Sequence, residues 1–516
     1  LKSIQGQTAD RWYAGLFSEK TLTGIMVLGA LVFVVSMWNR YIYIDDAFFG
    51  EQAYWLAKDG VVKTVTLIDF LGCDVRLFSY HKLNIMVGAA LIRLFGWSVN
   101  PLRVTTLLFF LGFVATYATY FKQNRPNFGR EKQQMTIALF LIVFNPLIVL
   151  YAFTFRPEIW VMFFGFLSYM LLEKSIKKED STPYILLAGV LSGLAFLTHL
   201  NGLIFSVAGF VVLAFARKWR SVLMFSVSAG TTSLLYFFDL WQKGHLATWL
   251  YQIRNWPDNN ATNYLSENIG DFLMNVVVKL SEEHQRFFWS DRVWVISTFF
   301  ILAILFNFRY LVSKHRLLAG YTLTLILTLN IAGSQIAERF LIYLFPFMAL
   351  IISFELTHIV KKAMPVRKTI YMLLLLLQVI LVAKMFVGIF QKNGPQVQVT
   401  QEIMSHIHDK NARTLVPYTM IYNALDEYNL VSYKAFEYYQ VQVKHELSQK
   451  EFFSRANNLK IQNIVVPLKK LKNSDTGLTC IASGTLTDTT YYAPFYHDDR
   501  CIILKRKRPE NLEVKE

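Results

Sequence analysis

Long apolar runs separated by short polar connections dominate the chain. At roughly 20 residues per ~30 Å of hydrocarbon, the runs at 22–38, 102–121, 135–153, 158–173, 183–198, 201–216, 221–238, 292–308, 317–333, 340–358 and 369–389 predict eleven membrane-spanning helices. One further run, Leu83 to Phe95, is too short to cross. Its large side chains recur as Leu83, Met86/Val87, Leu91 and Leu94/Phe95, the stripe of a helix lying in the interface. The connections 122–134, 174–182, 217–220, 309–316 and 361–368 are basic, whereas 154–157, 199–200 and 334–339 have only Arg156 and Arg339 as basic residues. With 83–95 in the interface, all the basic loops fall on one face; with 83–95 spanning, the alternation breaks. The positive-inside rule then predicts a cytoplasmic N-terminus. It also predicts two long outer loops, 39–101 and 239–291, and an outer tail from 391. The tail alternates helix-like stretches (Val399 to His408, Gln449 to Leu459) with strand-like ones (Arg413 to Pro417, Ile461 to Val466, Cys501 to Leu504). The expected fold is therefore an all-α polytopic membrane domain over 1–390 with a C-terminal extracytoplasmic α/β domain over 391–516.

Composition agrees with a bilayer. Of 516 residues, 54% are hydrophobic and only 17% charged, too few charges to cover soluble domains of this length. Lys and Arg number 52 against 36 Asp and Glu. In a polytopic protein that excess belongs to the loops rather than to a nucleic-acid site. Residues 1–20 do not resemble a signal peptide, so the first apolar run is expected to be a retained helix. The three cysteines exclude a disulfide scaffold and form no zinc-type spacing. Cys480 and Cys501 share the tail, where a disulfide and two free thiols are equally compatible with the spacing.

Candidate chemistry gathers at the connections opposite the basic loops. Asp45-Asp46 follows the first helix, and two adjacent carboxylates beside hydrocarbon suit acid–base work or cation binding. Taken alone, such a pair more often marks the water boundary. Arg156-Pro157-Glu158, His199 with Asn201, and Glu338-Arg339 occupy further connections on the same face, and His81-Lys82 opens the interfacial helix. Each has a bland explanation, since interfacial Arg snorkels and a lone turn His is usually hydrogen-bonded. Together they form a candidate site on the outer side.

These residues carry a resemblance. Asp45-Asp46-Ala-Phe-Phe-Gly-Glu51, continuing to Leu56 and Gly60, is similar to the opening of the first outer loop in GT-C glycosyltransferases. The nearest branch is glycosyltransferase family 39, with the protein mannosyltransferases and aminoarabinose (ArnT-like) transferases. His81-Lys82-Leu83, Leu94-Phe95-Gly96, Pro101-Leu102-Arg103, Phe155-Arg156-Pro157-Glu158, Thr198-His199 and Glu338-Arg339-Phe340-Leu341 with Pro346 resemble that group's later motifs in order. Asp46 stands where Glu is usual, and the double proline after Lys82 is missing. The resemblance implies a sugar on a polyprenyl phosphate as donor, transferred with inversion on the outer face of a membrane, expected to be a bacterial inner membrane. The acceptor would be an envelope lipid or glycan, or alternatively a protein Ser/Thr. It implies Asp45 as base with Asp46 beside it, and Lys82, Arg339 and Arg156 as ligands of the donor phosphate. Glu158, His81, Glu51 and His199 become acceptor or metal candidates, with a divalent cation (magnesium or manganese) left open. The rival classes are a lipid or solute transporter, for which no inverted repeat is visible, and a non-catalytic scaffold.

Overall fold

A computed structural model describes residues 18–124, 128–178, 182–257, 269–333, 335–360, 365–471, 476–482, 488 and 490–507. The extreme N-terminus (1–17) and the expected basic loop residues 361–364 lie outside these. Among the described residues, five helices are long and apolar enough to cross a membrane: Glu19–Ser36, Val99–Lys122, Glu158–Lys177, Trp294–Lys314 and one beginning at Val366. Five shorter apolar helices accompany them, Lys132–Val143, Thr182–Thr198, Leu200–Phe215, Arg316–Ala332 and Phe345–Thr357. Trp219–Leu234 completes the correspondence with the eleven runs. The chain is a multi-pass membrane protein.

Several runs are not single helices, and two of the interruptions bear on the site. The run at 135–153 breaks into Phe128–Val143 and Pro146–Tyr151. Pro146 brings no N–H and pushes Asn145 into extended backbone. Asn145 then caps the new helix through Leu147 N at 2.9 Å. Buried Arg40 donates to the carbonyls of Val149 and Leu150, both at 3.0 Å. The run at 340–358 opens as a 3-10 turn, Glu338–Tyr343, before Phe345–Val360.

In the first long loop, Ile44–Asp59 starts where Asp46 accepts from Tyr43 N at 3.0 Å, and it ends at Gly60, whose φ of 73° suits only a residue without Cβ. Lys82–Phe95 packs beside it through Asn84, Ile85, Gly88, Ala89 and Ile92. Gly88 permits the approach, since a Cβ there would lie 2.6 Å from Phe155. On the other face, Met86, Leu94 and Phe95 are exposed. The rest of the apolar stripe, Leu83, Val87 and Leu91, is half-buried against the two cores. The second long loop carries His245–Asn255 and the amphipathic Ile269–Phe288.

The tail is a five-stranded mixed sheet ordered β2-β1-β3-β5-β4, comprising β1 Thr414–Val416, β2 Leu430–Ser432, β3 Asn463–Pro467, β4 Tyr492–His497 and β5 Cys501–Arg506. β1 pairs in parallel with β2 and β3, and β5 antiparallel with β3 and β4. Cys480 and Cys501 are free thiols. The tail shares one hydrophobic core with the first loop, including Phe49, Ala53, Phe70 and Ile85 from the loop and Tyr418, Tyr422 and Phe436 from the tail. Trp97 stacks on Tyr422 at 4.0 Å and donates to its carbonyl at 2.8 Å. A separate core fills the bundle.

Candidate active site

Asp45 and Asp46 are neighbours in sequence and opposites in role. On a helix, adjacent side chains diverge by about 100°. Asp46 turns inward and is fully buried. It accepts from Arg103 Nη2 at 2.5 Å and Nε at 3.2 Å, from Tyr43 N at 3.0 Å, and through its other oxygen from Phe155 N at 2.7 Å. Arg103 also donates to the carbonyls of Arg40 and Tyr41. This clamp fixes the backbone at 155, so the next residue, Arg156, is delivered against Asp45.

Asp45 is one-quarter exposed and accepts from Arg156 Nη1. The same guanidinium grips Glu158 with both arms, Nη2 to Oε1 at 2.5 Å and Nε to Oε2 at 3.0 Å. Arg339 closes the row, its Nε 3.7 Å from Glu158 Oε1 and its Nη2 on Gln335 at 2.5 Å. Arg339 Nε has no hydrogen-bond partner. The charges therefore alternate as Asp45, Arg156, Glu158, Arg339, from three different connections of the bundle. The His81 and His199 rings stack 4.4 Å apart beside this row, and His199 Nδ1 accepts from Asn201 N. Burial, with the His199 ring and both guanidinium groups, holds His81 well below the ordinary imidazole range. Burial likewise lowers His199 to about 4, outweighing the pull of Glu158. Both rings are neutral at pH 7.

Two sequence-predicted residues fall outside the row. The Lys82 ammonium turns away from His81 and binds Asp239 at 2.7 and 2.8 Å and the Phe78 carbonyl at 3.1 Å. Tyr80 donates to the same carboxylate at 3.0 Å and puts its ring 3.7 Å from Nζ. Burial lowers Lys82 to about 8 in spite of Asp239. Its three donors are taken up, so a donor phosphate would have to displace Asp239. Glu51, six residues beyond Asp45 and so about 240° around the helix, faces Thr66 and accepts from its N at 3.0 Å and its Oγ1 at 2.5 Å. Asp239 and Arg292, which pairs with Glu338 at 2.7 Å, were not singled out from the sequence, and Arg103 stood there only as the end of a motif with no role assigned. Their one signal there is charge at the edge of an apolar run.

Among the described residues, no three His, Cys, Asp or Glu side chains converge as a metal site. Between Asp45 and Glu158 the cation is Arg156, and the two histidines stack on each other. This arrangement does not fit a divalent ion.

With this geometry in hand, similarity to solved structures decides the architecture. The chain matches the Archaeoglobus fulgidus oligosaccharyltransferase in complex with zinc and sulfate at a TM-score of 0.57, with 13% identity over 91% of this chain and 71% of that one. It matches ArnT from Cupriavidus metallidurans bound to undecaprenyl phosphate at 0.55, with 10% identity over 93% and 97%. Both are GT-C glycosyltransferases. The chain has the GT-C fold. A third match of that fold is AglB from A. fulgidus with an inhibitory peptide and a dolichol-phosphate, at 0.51 and 13% identity over 92% and 72%. No family model and no curated protein matches the sequence. The GT-C fold agrees with an all-helical bundle bearing a small C-terminal α/β domain.

Proposed function

We propose that the chain is an inverting membrane glycosyltransferase. It moves a monosaccharide from a polyprenyl phosphate to an envelope lipid or glycan on the outer face of the membrane. The observation that carries this reading is the alternating row from Asp45 to Arg339 on a GT-C fold. ArnT bound to undecaprenyl phosphate and AglB with a dolichol-phosphate support a lipid phosphate as the donor's carrier.

Asp45 is the exposed carboxylate of the row and accepts the acceptor hydroxyl proton. The acceptor oxygen then bonds to the anomeric carbon from the face opposite the phosphate. The carbon–oxygen bond to the phosphate breaks, and its electron pair stays on the lipid phosphate. The Arg339 guanidinium is about one-third exposed and meets that growing charge. Arg156 orients Asp45 and Glu158, and Glu158 in turn holds Arg339. No step runs through a metal.

A cation at the leaving phosphate stabilises the transition state more than the bound donor. Arg339→Lys keeps the charge but loses the planar fork. In purified enzyme with a polyprenyl-phosphate sugar, it should lower kcat by at least about tenfold with little change in donor affinity. A nearly silent Arg339→Lys would mean that Arg339 only anchors its turn at the head groups, and would remove the phosphate role. Mass spectrometry of lipid, glycan and protein products in the same assay separates the envelope acceptor from a protein Ser/Thr.

A further inference from the structure

A cavity of about 330 Å³ opens at the end of the bundle opposite the Asp45 row. Val99–Asn124 carries Arg103 at the site end and Phe121 at the cavity end. Glu158–Lys177 carries Glu158 at the site and Glu173 fifteen residues on, about 22 Å along the axis at the helical rise. Phe121, Glu173, Lys177, Lys314, Arg316 and Phe354 line the space. Its volume lies at the lower end of the roughly 300–1,000 Å³ usual for small-molecule sites.

The cations alone need no special explanation, because helix ends on one face of a membrane protein are often basic. Glu173 does. It sits close to the carbonyl end of its helix, where the helix dipole disfavours a negative charge. Its side chain is only 13% exposed. Oε1 takes Lys177 at 3.0 Å, but Oε2 is buried with no hydrogen-bond partner. A buried carboxylate oxygen without a donor is costly, and none of the topological demands on this loop requires it. Across the cavity, Lys314 and Arg316 flank the turn between two helices and form no ion pair among the described residues. One wall therefore carries the Glu173 carboxylate, whose Oε2 lies just beneath the surface without a donor, and the other offers cations, with the Phe121 and Phe354 rings between.

We propose that this cavity holds the phosphoethanolamine head group of a membrane phospholipid. Its primary ammonium donates to the Glu173 carboxylate, which turns its unpartnered oxygen toward the ligand, and its phosphate lies between Lys314 and Arg316. The aromatic walls take the first carbons of the glycerol and chains. A phosphoglycerol head group has no ammonium for Glu173, and a trimethylated ammonium has no N–H to donate. The site is independent of the transfer reaction.

The test is native mass spectrometry of the delipidated full chain in detergent, titrated with phosphatidylethanolamine, phosphatidylcholine and phosphatidylglycerol of matched chains. One charge-assisted hydrogen bond corresponds to a preference of about tenfold or more for phosphatidylethanolamine over the other two. Glu173→Gln should bring phosphatidylethanolamine and phosphatidylcholine to within about twofold of each other, and Lys314→Ala with Arg316→Ala should weaken all three. Because the latter pair lies on the exposed rim, it reports even where Glu173→Gln fails to fold. Equal binding of all three lipids by the wild type, or an unchanged preference in Glu173→Gln, overturns the proposal. Thermal stabilisation by soluble phosphoethanolamine equal to that by the lipid would overturn the membrane as the source.

Discussion

Asp45 and Asp46 show how little a residue's type says about its role until its direction is known. One position along a helix separates a carboxylate with four hydrogen bonds in the interior from one that meets solvent. Glu51 extends the lesson, since its family-like position ends in a structural contact with Thr66. Burial lifts Glu51 to about 7, against an ordinary value of 4.5. The fold therefore holds a proton that the unfolded chain releases near pH 4.5. This contribution to stability is full below that pH, is lost as pH rises through 7, and is absent above it. The span corresponds to something on the order of 3 kcal/mol. Glu51→Gln should flatten this dependence and melt higher than wild type at pH 8, but not at pH 4.5, in detergent. A variant that melts lower at pH 8 would show that the Thr66 bonds outweigh the desolvation. The sequence made the residue types of the row legible, because Arg156, Glu158 and Arg339 stand at connections with few other charges. It could not show that Arg156 bridges two carboxylates, which depends on the Asp46–Phe155 bond across more than a hundred residues of chain.

At the scale of elements, hydrophobic length and period located the apolar helices and the short helix Lys82–Phe95. Of the stripe from Leu83 to Phe95, Met86, Leu94 and Phe95 are exposed and Leu83, Val87 and Leu91 half-buried, while the buried face carries Asn84, Ile85, Gly88, Ala89 and Ile92. What the pattern missed were interruptions set by local chemistry, such as Asn145-Pro146, and the helix Ile269–Phe288 inside a long loop. That helix exposes Leu273, Met274 and Val277 while Lys279 reaches in to the Gly333 carbonyl at 3.0 Å. The two long loops are joined by Lys82 and Asp239, a pair no spacing announces. Removing either partner leaves a buried charge and should cost about 3–5 kcal/mol. Lys82→Met with Asp239→Asn together should cost clearly less than the two single changes summed, measured by thermal melting. Strict additivity would contradict the pairing and return Lys82 to the list of phosphate ligands.

Over the whole molecule, the tail and the first loop form one body above the bundle, built on a core shared between Phe49, Tyr418 and Tyr422. The α/β character of the tail was legible from alternating strand and helix patterns, whereas its seat on the loop was not, since it rests on single contacts such as Trp97 on Tyr422. The basic-loop reading places this body outside the cell and the cavity of Glu173 inside. Cysteines replacing Val75 or Asp499, both exposed, should react with an impermeant maleimide in intact cells. A cysteine replacing Ser313 should react only after permeabilisation. The reverse pattern would invert the topology. The central claim, that Asp45 is the base of a glycosyl transfer, is tested most directly by turnover of purified Asp45→Asn with a polyprenyl-phosphate sugar and envelope acceptors. The account predicts a folded protein that binds donor normally and transfers sugar about 10²–10⁴-fold more slowly than wild type; transfer at the wild-type rate would contradict it.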